Sequence, residues 1–525
     1  MLEISTCTLI IASIVVVITF LKWYMGRNDD YWKKRGVPHM PRASYYAMWR
    51  NFGEKGMAGV VRDMGKNNLG RVYGAFEGSN PHVVVSDPDL LRDIFIKDFH
   101  IFPLRRSATI GDPLSDCAVS NLAGEQWKRV RTIITPAFTS KRMRQMGSII
   151  NECTKSLLEV CEKHYKEGKP VDCKGLFGAY TMDVIANSAF GTQIDSHNDP
   201  QNPFVQHVKK MVDGFSLITM IIALNAPDWF WKFVPSNLNP VRIDPDHFFR
   251  NVTMSVIQKR KESGRRYNDL LQILMDAADE ANQVELTELA EDETDRFGSI
   301  VSDGIATSPQ KYKSLSENEV LAQCVLLFFV GYETTSSNLT FCAYSLATNP
   351  DWQEKLIKEV DEAFEKHGEM SYDAVRDLKI LDAVISETLR MHPPLAMTER
   401  TAVEDYEIGN TGVVVEKGMR VAIPALAMHF DPEFFEDPES FNPARFLEAP
   451  KHPQYAYIPF GMGPRNCLGM RFALLEIKIC LSTLLRNFRI KPDSSTKVPV
   501  DYKKSFPLLT VSDLPLMFEK RTDVK

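Results

Sequence analysis

The chain has 525 residues, 44% hydrophobic and 25% charged, enough apolar material for a large single fold or two smaller ones. Its net charge of −6, with no basic stripe carrying interleaved aromatics, gives no sign of a nucleic-acid partner. The cysteines (Cys7, Cys117, Cys153, Cys161, Cys173, Cys324, Cys342, Cys467, Cys480) are scattered and odd in number, without CxxC spacing, which argues against a disulfide framework or zinc site and for a reducing compartment.

In chain order, the first signal is Ile4–Leu21, 18 residues without a charge. As a helix this run reaches about 27 Å, the apolar thickness of the endoplasmic reticulum bilayer. Lys22, Arg27, Lys33, Lys34 and Arg35 follow it and only Glu3 precedes it, so the positive-inside rule places the rest in the cytosol. No small-residue cleavage site is visible, which favours an uncleaved anchor over a signal peptide. The expected organisation is an anchor over 1–25, a basic, proline-containing linker over 26–42 and a catalytic domain over 43–525, with Gly36–Pro41 as a stiff spacer.

Residues 70–86 alternate like a β-hairpin, with Gly78–Pro81 as its turn. Apolar residues at three and four spacing predict helices over 122–134, 141–167, 178–190, 315–347, 351–367 and 380–392. A second β region is expected at 400–422, giving a mainly α protein with small β-sheets (α+β). No solenoid repeat appears, and the acidic run 284–296 reads as a solvated connector. Ser316 and Glu319 form a capping box for the long helix. In its middle, VGYETT places Gly331 at a cost of ~1 kcal/mol relative to alanine. Either something there needs room and polarity, or the glycine permits close helix packing and a threonine bonds back to its own backbone.

Near the C-terminus, FGMGPRNCLG sets Cys467 between a glycine-rich turn and an amphipathic helix. Gly461 and Gly463 suit left-handed angles, and a sulfur at a helix N-terminus is stabilised as an anion. An inert buried thiol needs no such setting; a thiolate holding a metal does. Glu387 and Arg390, at i and i+3, can pair on one helix face, as an ordinary surface pair would too. Trp127 and Arg131, at i and i+4, aim at one point and suit a carboxylate.

With these motifs the chain resembles the cytochrome P450 family of haem-thiolate monooxygenases over about 36–510. Phe460, Gly463, Arg465, Cys467 and Gly469 match its Phe-x-x-Gly-x-Arg-x-Cys-x-Gly signature. Glu387–Arg390, Pro443–Phe446 and Val330–Thr335 match three further motifs in the right order, in wording most similar to insect xenobiotic-metabolising members. The resemblance implies the cytochrome P450 fold with an N-terminal transmembrane helix. It implies haem b (iron protoporphyrin IX) with Cys467 as axial thiolate, Phe460 covering one side, and Gly469 letting the helix approach the macrocycle. Trp127, Arg131, Arg400, Arg465 and one of Arg105 and Arg106 would hold the propionates; Arg445 would join Glu387 and Arg390 in a structural lock. Thr334 would donate a hydrogen bond at the oxygen site, Glu333 would feed it protons through water, and Gly331 would make space for dioxygen. Val330 stands where the family usually has alanine.

The implied reaction inserts one oxygen atom from O2 into a lipophilic substrate, a plant toxin or insecticide ahead of a hormone or lipid. Electrons would come from NADPH–cytochrome P450 reductase, with cytochrome b5 as a further donor, to a monomeric catalytic unit on the endoplasmic reticulum membrane. A basic face of Lys128, Arg129, Lys141, Arg142 and Lys478 would dock the acidic reductase. Residues 211–233 read as a roof dipping into the bilayer or as a core helix, and Ile101, Phe102 and Leu114 as pocket-wall candidates. A peroxide isomerase or dehydratase would need no Glu333–Thr334 relay, and a non-catalytic haem sensor would carry a signalling module. Asn251 and Asn338 match the glycosylation pattern but lie in a cytosolic body.

Overall fold

The computed structural model describes residues 9–13, 15–16, 19, 22–24, 26–106, 113–199, 201–213, 247–267, 269–278, 315–504 and 507–523. The acidic connector, nearly all of the expected roof and much of the N-terminal apolar run lie outside them. Where that run is described it is helical, and Leu9, Ile10, Ile11, Val15 and Val16 stand 55–66% exposed. Such contiguous apolar surface marks a partner or a membrane.

Helices dominate the described residues, as their periodicity predicts. Those that position the site are α1 (Tyr45–Gly65), α2 (Gly124–Ile134), α3 (Ser140–Glu167), α4 (Cys173–Phe190), α5 (Glu317–Thr348), α6 (Pro350–His367), α7 (Lys379–Met391) and α8 (Met470–Asn487). Strands β1 (Val72–Glu77), β2 (Asn80–Val85), β7 (Arg420–Ile423) and β4 (Thr398–Thr401) form one sheet in that spatial order. β3 (Val171–Asp172), β9 (Pro515–Lys520) and β8 (Phe488–Pro492) form a second, and β5 (Tyr406–Glu407) with β6 (Val414–Val415) a third.

Helix α4 starts five residues before the expected 178. The Asp172 carboxylate caps it, accepting from the Lys174 and Gly175 N–H groups, and the helix is buried on nearly every face, so it shows no apolar stripe. The hairpin turn is also shorter than expected. Glu77 pairs with Asn80, leaving Gly78 (φ +60°) and Ser79 as a two-residue loop. Pro81 is tolerated in β2 because β7 pairs only further along, at Val83 and Val84.

Residues 26–42 are not a free spacer. Trp32 is fully buried, its Nε1 donates to the Ala75 carbonyl at 3.0 Å, and a Cβ on Gly74 would lie 2.4 Å from the indole. Met40 N–H donates to Gly74 O at 2.9 Å and Gly74 N–H to Pro38 O at 2.8 Å, so this segment extends the first sheet. The pocket-wall candidates Ile101 and Phe102 lie in the core between that sheet and Phe95, and Leu114 in the core around Trp127 and Phe328. Asn338 is buried in mid-helix, closed to any transferase.

The main core joins α3 to α8, and α5 packs most extensively on α4. In α8 the Glu476 carboxyl is 1% exposed and neither oxygen has a partner. Burial pushes its pKa well above the ordinary carboxylate value. The folded protein therefore holds a proton there that the unfolded chain releases above about pH 4.3, and stability falls as pH rises towards the folded pKa. Glu476→Gln is expected to flatten that slope and to gain on the parent from pH 5 to pH 8, as read from denaturation midpoints. Parallel pH profiles of the two proteins would contradict this.

Candidate active site

The loop from Ile458 to Gly469 is closed by its own backbone. Gly461 N–H donates to Ile458 O at 3.0 Å, Asn466 N–H to Gly463 O at 2.9 Å, and Cys467 N–H to Phe460 O at 2.8 Å. Gly461 and Gly463 take φ of +68° and +72°. Helix α8 begins three residues after Cys467, with Gly469 at its N-cap, as the sequence implies.

A Cβ on Gly463 would fall 2.2 Å from the carbonyl oxygen of Phe95, so the loop is pressed on that turn. Gly463→Ala is expected to cost about 1–2 kcal/mol from the left-handed backbone alone, and more from the collision. A lowered thermal midpoint and a weaker haem spectrum would register it; an unchanged midpoint would show that the turn simply yields.

Cys467 keeps accessible surface, although protein surrounds it over the range at which charge is felt. The surrounding protein governs its acidity. Burial pushes the thiol up, while the Gly469 backbone N–H and the Arg131 and Arg105 guanidinium groups pull it down. Metal binding would remove the proton outright.

Around this loop the arginines donate to carbonyls. Arg131 donates to Asn466 O at 3.0 Å and Oδ1 at 2.8 Å. Arg465 reaches Pro103 O at 2.9 Å and Leu122 O at 2.7 Å, its guanidinium 4.1 Å above the buried Trp127 ring. Arg105 donates to Arg465 O at 2.5 Å, and Arg400 to Met462 O at 3.3 Å. The Nε atoms of Arg105 and Arg400 are buried without a partner. Burial and mutual repulsion pull Arg465 down to about 9 and Arg400 well below its usual value; burial brings Arg131 to about 10.

Arg106 does not belong with them. It pairs with Glu77 at 2.8 Å and Glu399 at 3.0 Å, and Arg420 joins both carboxylates. Of the two candidates, only Arg105 faces the loop. Buried and part-buried cations meeting carbonyls instead of carboxylates call for an anionic ligand, and the two propionates of haem fit that donor set.

The mid-section of α5 presents Val330, 38% exposed, and Thr334 one turn on. The Thr334 hydroxyl donates to Val330 O at 2.6 Å. Glu333 points elsewhere: it is 3% exposed and paired with Lys174 of α4 at 2.7 Å, and Ser337 donates to Thr510 Oγ1 at 3.0 Å beside it. A Cβ on Gly331 would sit 2.9 Å from Ile185 Cδ1, the far end of an α4 side chain, so α4 approaches α5 closely here.

Arg390 pairs with Glu387 through Nε and Nη2, both at 2.8 Å, and neither residue has exposed surface. Arg445 adds a contact to Glu387 at 3.3 Å, and Asn442 N–H another at 2.8 Å. This is a buried lock, and a surface pair is ruled out. The basic face is smaller than expected: Arg129 is bound to Glu319, and Lys478 is half-buried against Asp382 at 2.7 Å. Lys128 pairs with Glu125, and Lys141 is exposed.

Sequence reasoning missed Lys174, Asn466 and His429. Lys174 lies far from any motif, Asn466 is a variable position of the signature, and a lone histidine after an apolar run reads as core.

A cysteine in a backbone-closed loop at a helix N-terminus, ringed by buried and part-buried arginines without carboxylate partners, fits a haem-thiolate protein. The comparisons agree: residues 38–518 match the Cytochrome P450 family, and the chain belongs to it. It is 34% identical to Cytochrome P450 3A29 of Sus scrofa over 506 residues, covering 94% of this chain and 93% of that relative. It is 33% identical to Cytochrome P450 3A11 of Mus musculus (95% and 93%) and 36% to Cytochrome P450 3A5 of Homo sapiens (82% and 81%). The chain is thus a cytochrome P450 monooxygenase whose cofactor is haem with a cysteine thiolate ligand.

Proposed function

We propose that Cys467 supplies the thiolate and that Arg105, Trp127, Arg131, Arg400 and Arg465 surround the propionates. The observation that carries this is the set of guanidinium groups around Cys467, Arg400 and Arg465 buried and Arg105 and Arg131 part-buried, with no carboxylate among their hydrogen-bond partners. When bound, the haem-thiolate supplies oxygen activation, the sulfur's electron density favouring O–O cleavage. The protein's own work is positioning and proton supply. Thr334, on the accessible face of α5, can turn its hydroxyl from Val330 O towards a ligand. Glu333, held by Lys174 of α4, reaches that side only by swinging out of this pair, and would then feed it protons through water.

The substrate is a lipophilic molecule, since apart from Thr334 the accessible residues in the middle of α5, Leu327, Phe329, Val330 and Gly331, are apolar. Xenobiotics come first and an endogenous hormone or lipid second. Electrons come from NADPH through a membrane reductase docked near Lys128 and Lys141, with cytochrome b5 as a further donor. The anchor over 1–25 holds the domain on the cytosolic face of the endoplasmic reticulum, in keeping with the exposed apolar residues there.

A carbon monoxide difference spectrum of the reduced protein should show the thiolate red shift, and NADPH should be consumed with reductase and a lipophilic substrate panel. A red shift without NADPH consumption would favour an isomerase, and its absence would overturn the haem-thiolate assignment.

A further inference from the structure

Between the Glu387–Arg390 lock and the cysteine loop stands a side chain that belongs to neither motif, His429. It ends a short helix, Ala425–His429, and has no exposed surface. Arg390 Nη1 donates to its carbonyl at 2.8 Å. Its ring spans two elements: Nδ1 lies 3.1 Å from Arg390 O, and Nε2 accepts the Ile458 N–H at 3.2 Å.

A backbone N–H can only donate, so Nε2 carries no proton and Nδ1–H donates to Arg390 O; one neutral tautomer satisfies both contacts. Burial, with Arg390 beside it, drops the ring to about 3, so it stays neutral. From Ile458 the hydrogen bonds continue to Gly461, and Phe460 O in turn receives the Cys467 N–H. The neighbouring Tyr457 hydroxyl donates to Ser386 O of α7 at 2.9 Å. The ring therefore ties the C-terminal end of α7, which carries the lock, to the first residue of the loop that carries the sulfur.

We propose that His429 is a positioning residue, a neutral imidazole strut that registers the cysteine loop against α7 and so aims Cys467 Sγ. The strut explains how an ion pair without direct contact to the sulfur bears on its placement: the lock fixes Arg390 O, and the ring transmits that position to Ile458. The inference rests on Cys467 being the ligand, and its test separates the two claims.

In the purified, haem-loaded enzyme, His429→Leu fills similar volume without a polar partner, and His429→Gln keeps an acceptor at the reach of Nε2. Losing one buried hydrogen bond to Ile458 is expected to speed amide exchange across 458–467 about tenfold in the leucine variant. Part of its ferrous carbon monoxide band should lose the thiolate red shift. Glutamine should restore both readouts. Wild-type exchange and spectrum in His429→Leu would overturn the strut, as would equal loosening by leucine and glutamine. Where leucine does not fold, His429→Asn replaces it: too short to reach Ile458, it should loosen the loop while glutamine holds it, and equal behaviour again overturns the proposal. If Cys467 were not the ligand, the parent itself would lack the red shift, while amide exchange would still report on the strut.

Discussion

Glu387→Ala is expected to destabilise the protein by about 3–5 kcal/mol, because it leaves two cations without their counter-charge inside the core. Glu387 accepts from Nε and Nη2 of the fully buried Arg390, from Nε of Arg445 and from the backbone N–H of Asn442. No water reaches Arg390 to compensate. The remaining Arg390 bonds, to His429 O and Ser440 O, hold the guanidinium but do not cancel its charge. The lock also anchors the segment that leads through Pro443–Phe446 to the cysteine loop, so haem retention should fall with stability. Glu152→Ala, which breaks an exposed pair with Lys155 on α3, is the comparison and should cost less than about 1 kcal/mol. Denaturation midpoints and haem content of both variants decide it. Equal costs would mean that the buried pair contributes no more than a surface one.

The fold was legible where sequence carried a local physical signal. Amphipathic helices such as α3 and α6 ended within a residue or so of their periodicity, and Ser316 and Glu319 announced the start of α5 through a capping box that the structure contains. Helix α4 lost its first turns to the reading because full burial erases the contrast between faces, and its start depends on the single cap Asp172. Contacts between distant segments were not legible from local signals; the Arg445–Glu387 contact was expected only through the family resemblance. Nothing near Trp32 says that it inserts beside Gly74, and nothing near Glu333 names Lys174, 159 residues away in sequence. At the site, residues within one motif could be placed from spacing, since the loop and helix geometry is local. Gly331 shows how an unusual glycine signals a need for room without saying which neighbour needs it; the side chain that a Cβ there would meet is Ile185 of α4. Arg105 and Arg106 were indistinguishable because adjacent residues on an irregular loop face different ways, and only the Glu77–Glu399–Arg420 cluster shows which is already taken.

Cys467→Ser is expected to abolish monooxygenase activity to background while leaving the polypeptide folded. The loop is set by backbone bonds and by Gly461 and Gly463, none of which requires sulfur, so the hydroxyl should sit where the thiol did. What changes is the chemistry of the donor. A serine hydroxyl, far less acidic than a thiol, does not ionise in this setting, where surrounding protein already pushes the thiol up, and the strong electron donation that favours O–O cleavage is lost. The same arginines still surround the propionates, so some haem should bind, with its carbon monoxide band lacking the thiolate red shift. Cys153→Ser is the control: its part-buried thiol, pushed up to about 12 mainly by burial, lies on α3 among core side chains. That variant should keep both spectrum and turnover. Circular dichroism, haem content, the reduced carbon monoxide spectrum and substrate oxidation with reductase together read the outcome. Retention of the red-shifted band and of oxidation in Cys467→Ser would place the iron ligand elsewhere and remove the basis for every role assigned around it.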